Sequence, residues 1–219
     1  MTTPTLPIPQ VMRALARAIE DHELPAIEKI AASRERHAFH VLIGTLLSAR
    51  TQDATTHAAS ERLFRAAATP AAMSALTTRQ VEKLIYPVSF YRNKARHVRA
   101  TCRLLLERFG GSVPGTMADL LTLPGVGRKT AACVLLFAYD LPDIPVDTHV
   151  SRVGTRLGLF RPGAPFEELH DDLLAMTPAG QEHEIHINLL RHGRRVCHAQ
   201  RPRCGECGLR RMCPGRREL

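Results

Sequence analysis

Four of the six cysteines fall within the last 23 residues, at Cys197, Cys204, Cys207 and Cys213, with six, two and five residues between successive members. Spacing this short lets four thiolates from one stretch of chain surround a single centre, so the tail is predicted to be a metal-bound loop that needs little apolar core of its own. Two chemistries fit. Structural zinc accepts four cysteines, more often from two separated C-x2–4-C knuckles, and an iron–sulfur cluster takes the same thiolates from one compact loop. Arg194, Arg195, Arg201, Arg203, Arg210, Arg211, Arg216 and Arg217 surround the cysteines, so the centre reads as structural and its loop as basic. A merely solvated basic tail is the bland alternative.

A disulfide framework is the other use of clustered cysteines, and it requires an oxidising compartment. Met1 to Gln10 shows no basic patch followed by an apolar run, and the longest apolar run, Ala131 to Ala138, is too short to cross a bilayer. The expected location is therefore cytoplasmic, nucleoid-associated in a bacterium, with thiols kept reduced and no membrane partner. Thirty Lys and Arg against 21 Asp and Glu leave a formal charge of +9 and a pI near 9.8, which favours a polyanion, nucleic acid first.

Apolar residues recur at helical spacing along most of the chain. Ala95, Val98, Cys102, Leu105 and Phe109 form one such stripe, with Lys94, Arg96, Arg99 and Arg103 around it on what reads as a solvated face. Similar patterns predict helices over Pro9–His22, Ala38–Ala49, Thr55–Ala67, Arg128–Tyr139, Thr148–Leu157, Phe166–Met176 and Glu182–Arg195. Alternating β-branched runs are lacking, so the predicted fold class is all-α. Breaks at Gly110-Gly111, Pro114-Gly115, Pro124-Gly125, Pro142, Pro162-Gly163 and Pro178 punctuate helices without opening a long polar linker. Cys102 and Cys133 sit on apolar faces and read as small core residues.

The segment Leu120 to Thr130 reads as a helix, a tight turn closed by Gly125 and Gly127, and a second helix starting near Arg128. Two glycines let backbone approach a ligand closely, and the first amides of the second helix form an anion site suited to a DNA phosphate. A plain αα-corner with glycine caps gives the same local pattern. Lys129 stands in the first turn of that second helix, where the helix dipole disfavours its charge and favours the nucleophilic neutral amine. A solvated surface lysine is the alternative. Asp147 precedes the next helical pattern, which makes it an N-cap first, although a rigidly held carboxylate can also face a cationic transition state.

Together Leu123-Pro124-Gly125-Val126-Gly127-Arg128-Lys129-Thr130, Val146-Asp147-Thr148-His149, His192-Gly193-Arg194 and the four-cysteine tail resemble the endonuclease III family, within the helix-hairpin-helix DNA glycosylase superfamily. Leu42 to Ala49, Leu84 to Val88 and Tyr91 to Ala95 extend the likeness over most of the chain. The resemblance implies a six-helix barrel lobe over about 31–141, with its helix-hairpin-helix at about 119–138. It implies a second lobe formed by 1–30 and 142–219, with a [4Fe–4S] cluster in the loop 197–213 and a DNA-binding groove between the lobes. The implied protein is a monomer acting on double-stranded DNA with damaged bases or abasic sites.

The implied activity is that of a bifunctional DNA glycosylase and AP lyase. An oxidised pyrimidine is flipped out, the Lys129 amine displaces it at the sugar C1′, and β-elimination then cuts the strand on the 3′ side, with Asp147 stabilising the cationic sugar. Arg50, Thr51, Phe90, Gly125, Gly127, Arg128, His149 and His192 carry over as DNA contacts, and Cys197, Cys204, Cys207 and Cys213 as cluster ligands. Two positions depart from the usual pattern. Arg50 stands where Gln is usual, and Phe90 where Leu is frequent. Arg50 keeps two alternatives in view: an altered lesion specificity, or a catalytically weakened DNA-binding or redox-sensing relative.

Overall fold

The computed structural model describes residues 8–19, 38–161 and 163–216, and every regular element among them is helical. In chain order these are α1 (Ile8–Ile19), α2 (Ala38–Ser48), α3 (Asp53–Ala66), α4 (Pro70–Ala75), α5 (Thr78–Ile85), α6 (Tyr91–Phe109), α7 (Met117–Leu121), α8 (Arg128–Tyr139), α9 (Thr148–Arg156), α10 (Leu169–Met176) and α11 (Glu182–Arg195), followed by a 3-10 turn at Cys204–Glu206. Among the described residues no helix is long and apolar enough to cross a membrane. Chain contacts define two compact units, Leu24–Leu141 and the pair Met1–Glu23 with Pro142–Leu219.

The Leu24–Leu141 unit is built on α2 against α8. Both are apolar nearly all round, with Phe39, Val41, Leu42, Ile43, Leu46 and Leu47 buried from α2 and Ala131 through Phe137 from α8. A helix buried on every side needs a shell, and α3, α6 and α7 supply it by packing directly on this pair. Helices α4 and α5 pack on α6 in turn. Their sequences carry clear start signals that the hydrophobic pattern alone does not reveal. Thr69 caps α4 ahead of Pro70, and Thr77 with Gln80 forms a reciprocal capping box on α5. Cys102 and Cys133 lie fully inside this unit, and burial pushes the Cys102 thiol up to about 12, so it packs as a neutral apolar group.

Lys94 differs from the sequence expectation. It is only 8% exposed, turned into the unit and not onto the solvated face of α6.

The second unit gathers α1, α9, α10 and α11 around Val11, Leu15, Ile144, Val150, Leu173 and Ile185. Helix α10 starts three residues later than its apolar pattern predicts, because Phe166 to Glu168 form a turn. The expected continuation of the first helix to His22 lies outside the described residues. Helices α9 and α11 approach at Gly193, where an added Cβ would lie 2.9 Å from His149 Cβ and 3.2 Å from the His149 carbonyl. Backbone cannot yield as a flexible side chain can, so the crossing requires glycine. Gly193→Ala is expected to cost about 1–3 kcal/mol by overpacking, read as a lower Tm in thermal unfolding. An unchanged Tm would show that the helices separate freely.

Candidate functional site

In the Leu24–Leu141 unit the hairpin runs from α7 to α8. Gly125 has φ +80°, and a Cβ there would stand 2.6 Å from His97 Nδ1, so both backbone conformation and packing demand glycine. Thr101 donates its hydroxyl to the Pro124 carbonyl at 3.0 Å and holds the turn from beneath. Gly127 is different. Its φ of −107° suits any residue, and among the described residues nothing lies within 4 Å of the Cβ position, which leaves the backbone open to close approach by a ligand.

Gly127 is the N-cap of α8 and supplies no side-chain cap. The first turn of a helix leaves its amides without intrahelical acceptors, so this end presents N–H donors and the positive end of the helix dipole. Arg128 and Lys129 lie in this turn, both half-buried. An amine held beside anion-binding amides suits attack on a sugar whose phosphate is gripped next to it.

Arg50 and Phe90 belong to the same unit. Both are exposed, Phe90 to 59%, and both hold left-handed backbone, with φ of 55° and 57°. The Arg50 guanidinium lies 5.9 Å from the Phe90 ring centroid. Left-handed conformation in a bulky residue is uncommon, and two such residues side by side mark a surface shaped for more than packing. Thr51 is used internally. Its hydroxyl accepts from the Ser89 amide at 3.2 Å and from Lys94 Nζ at 3.1 Å.

In the second unit Asp147 is the N-cap of α9, and its Oδ1 accepts from the amides of His149 and Val150, each at 2.8 Å. The strand-like approach to it is fixed from two helices. The buried His170 ring lies with Nδ1 2.9 Å from the Ile144 carbonyl and 3.3 Å from the Val146 amide nitrogen, and the buried His186 ring with Nδ1 2.7 Å from the Pro145 carbonyl. Neither histidine stands out in the sequence, because a histidine among apolar helical positions reads as ordinary core.

His149 is half-buried. Burial lowers its pKa, the nearby Arg152 and Arg194 add to that, and Asp147 opposes it. His192, expected as a DNA contact, is instead buried. It is 3% exposed, its Nε2 lies 3.6 Å from Cys207 Sγ, and burial lowers its pKa to about 4. It is a neutral wall of the cysteine pocket.

Cys197, Cys204, Cys207 and Cys213 line one pocket with Val153, Leu157, Val196 and Leu209. Burial is the first cause raising the pKa of Cys207 and of Cys213, and the charges of neighbouring cysteines raise both further. Thiols under that pressure favour a positive centre that stabilises the thiolates. Two arginines absent from the sequence reading organise the loop. Arg152 donates to the carbonyls of Cys197 at 2.8 Å and Gly193 at 2.7 Å, and Arg156 donates to the His198 carbonyl at 2.7 Å and to Cys197 Sγ at 3.2 Å. Gly215 packs on Arg156 backbone, where a Cβ would stand 2.8 Å from its carbonyl oxygen. The two arginines stand four apart on α9, and no local pattern marks them because the carbonyls they hold lie more than forty residues downstream.

Comparison with known proteins gives a consistent result. The model of the HhH-GPD superfamily base excision DNA repair protein family matches residues 43–176. Endonuclease III of Escherichia coli K12 is 40% identical over 202 residues, covering 92% of this chain and 93% of its own. Endonuclease III of Thermotoga maritima is 39% identical, covering 82% of this chain and 84% of its own. A non-covalent endonuclease III–DNA complex superposes with a TM-score of 0.87 at 33% identity, and a trapped endonuclease III–DNA covalent intermediate, an estranged-adenine complex, with 0.86 at 33%; each covers 98% of this chain and 97% of its own.

The two hairpin glycines separate folding from binding. Gly125→Ala is expected to lower the Tm, whereas Gly127→Ala is expected to keep it and to weaken duplex DNA binding about tenfold. Equal effects of the two substitutions on Tm would contradict this division.

Proposed function

Because the chain belongs to the endonuclease III family, within the HhH-GPD superfamily of base excision DNA repair proteins, we propose that Lys129 is the nucleophile through which it excises damaged bases and cuts the strand. The chain is a DNA glycosylase and AP lyase of base excision repair, and its substrate is double-stranded DNA. The observation that carries the assignment of Lys129 is its place in the first turn of α8, two residues after Gly127, an N-cap that supplies no side-chain hydrogen bond.

A damaged base, an oxidised pyrimidine on this reading, leaves the stack. The neutral Lys129 amine attacks C1′, the C1′–N bond breaks, and the base departs with its electron pair and a proton. The C1′–O4′ bond then breaks, O4′ takes up a proton, and the nitrogen keeps its remaining hydrogen as a protonated imine. This imine acidifies the C2′ proton, whose removal expels the 3′ phosphate by β-elimination. A hydroxyl or water in the same place would release the base without this second cut. The Asp147 carboxylate stabilises positive charge on the sugar as the base leaves. Gly125, Gly127 and Arg128 grip a phosphate, His149 contributes a polar contact, and Arg50 with Phe90 occupies the distorted helix.

Cys197, Cys204, Cys207 and Cys213 hold a [4Fe–4S] cluster on this reading, a structural centre for the basic loop. What supports a single centre is that all four cysteines line one pocket, and what favours a cluster is their spacing in one compact loop instead of two separated knuckles.

Borohydride trapping on a duplex with one thymine glycol tests the nucleophile. Wild type is expected to form a covalent adduct and Lys129→Ala none, with the fold intact by circular dichroism; an adduct of equal yield in Lys129→Ala would overturn the assignment. For the cluster, protein purified without oxygen is expected to be brown, to absorb at about 400 nm, and to hold iron and sulfide in equal amounts. Stoichiometric zinc would refute it. DNA affinity is expected to fall steeply with added salt, and a flat response would contradict phosphate contacts.

A further inference from the structure

The buried lysine of α6 has no part in the chemistry above, and its surroundings give it one. Lys94 Nζ donates to the carbonyls of Leu47 at 2.7 Å and Ala49 at 2.6 Å, and to the Thr51 hydroxyl at 3.1 Å. Leu47 and Ala49 lie at the C-terminal end of α2, where carbonyls lack intrahelical donors and the dipole is negative, so an ammonium is well matched there. The cost is desolvation, which lowers the Lys94 pKa to about 8. A chain that buries an amine this way keeps it for what it holds.

What it holds is the exposed pair. Arg50 sits between two of the three acceptors, Ala49 and Thr51. The Thr51 hydroxyl that binds Lys94 also accepts the amide of Ser89, the residue before Phe90. On its own helix the Lys94 amide donates to the Phe90 carbonyl at 3.0 Å, and Phe90 is the N-cap of α6. One residue thus ties down both left-handed positions, through its side chain at Arg50 and through both main chain and Thr51 at Phe90.

We propose that Lys94 is a positioning residue for DNA engagement: it locks the turn at Arg50 and the turn at Phe90 into one rigid unit that recognises an interrupted base stack, without touching DNA itself. The inference rests on the repair activity proposed above and adds a residue to it. Undamaged duplex offers no gap for such a unit, so its rigidity bears on selectivity for the lesion and not on phosphate affinity.

The test uses intact protein with its metal centre and two duplexes, one undamaged and one with a tetrahydrofuran abasic analogue opposite 2-aminopurine. Lys94→Met keeps the apolar stem and removes the donors. Its expected effect is about a tenfold loss of affinity for the abasic duplex, with a reduced 2-aminopurine response and undamaged-duplex affinity within about twofold of wild type. In an Arg50→Ala, Phe90→Ala background the same substitution is expected to add nothing. Equal losses on both duplexes, an undiminished loss in that background, or no loss at all would each overturn the proposal. Should Lys94→Met fail to fold, Thr51→Val carries the same comparison by removing the shared hydroxyl, with the same pattern expected and the same outcomes fatal. If wild type neither prefers the abasic duplex nor traps with borohydride, the repair reading itself falls and this inference with it; a normal wild type with an insensitive variant sinks the Lys94 role alone.

Discussion

The N-terminal turn of α9 is the constraint on which the second unit depends. Asp147 caps that turn through two amides, and the same short helix then presents Arg152 and Arg156 to the cysteine loop and its flat face to Gly193 of α11. A cap typically contributes about 1 kcal/mol, but its consequence here is geometric. If the start of α9 shifts, so do the guanidinium groups that satisfy the Cys197, His198 and Gly193 carbonyls, and a loop with Leu209 as its one fully buried side chain has little else to restore it. The functional and structural readings of Asp147 therefore do not compete. One carboxylate oxygen fixes the helix, and a carboxylate fixed in this way needs no reorganisation to oppose a developing positive charge.

The hairpin of the other unit separates the same two roles between neighbouring residues. Gly125 serves the fold, with His97 and Thr101 of α6 pressed beneath the turn. Gly127 gives α8 no side-chain cap, and among the described residues nothing lies within 4 Å of where its Cβ would stand. A helix start with no cap is a cost when water alone attends it, and that cost is withdrawn when a phosphate accepts from the same amides.

What could be read from the sequence follows from the range of the interactions involved. The cysteine spacing, the hairpin and the long helices are local patterns, and the all-α class with α2, α6, α8, α9 and α11 follows from them directly. Helices α4 and α5 are too short for a convincing apolar period and announce themselves only by Thr69, Thr77 and Gln80. Residues defined by a distant partner are not legible in this way. Lys94 reads as solvated because its acceptors lie more than forty positions upstream, and nothing local marks Arg152 and Arg156, whose acceptors lie as far downstream. His192 had the motif of a surface contact and the burial of a core residue, since the tail that covers it arrives only after the motif ends.

A common device connects Lys94, Arg152, Arg156, His170 and His186. Each is a charged or polar side chain spent on backbone carbonyls directly beside a group proposed to meet DNA or metal: Lys94 beside Arg50, His186 and His170 ahead of Asp147, Arg152 and Arg156 at Cys197. Loop backbone has no helical ladder to satisfy its carbonyls, and burying them unpaired is costly, so such segments need donors from elsewhere in the chain. A donor with a rigid origin on a helix does more than satisfy the carbonyl, because it fixes the position of the neighbouring side chain relative to that helix. Reactive and contacting residues can then remain exposed on short turns while the helices beneath define where they stand, and this is the preorganisation that chemistry at a distorted duplex requires.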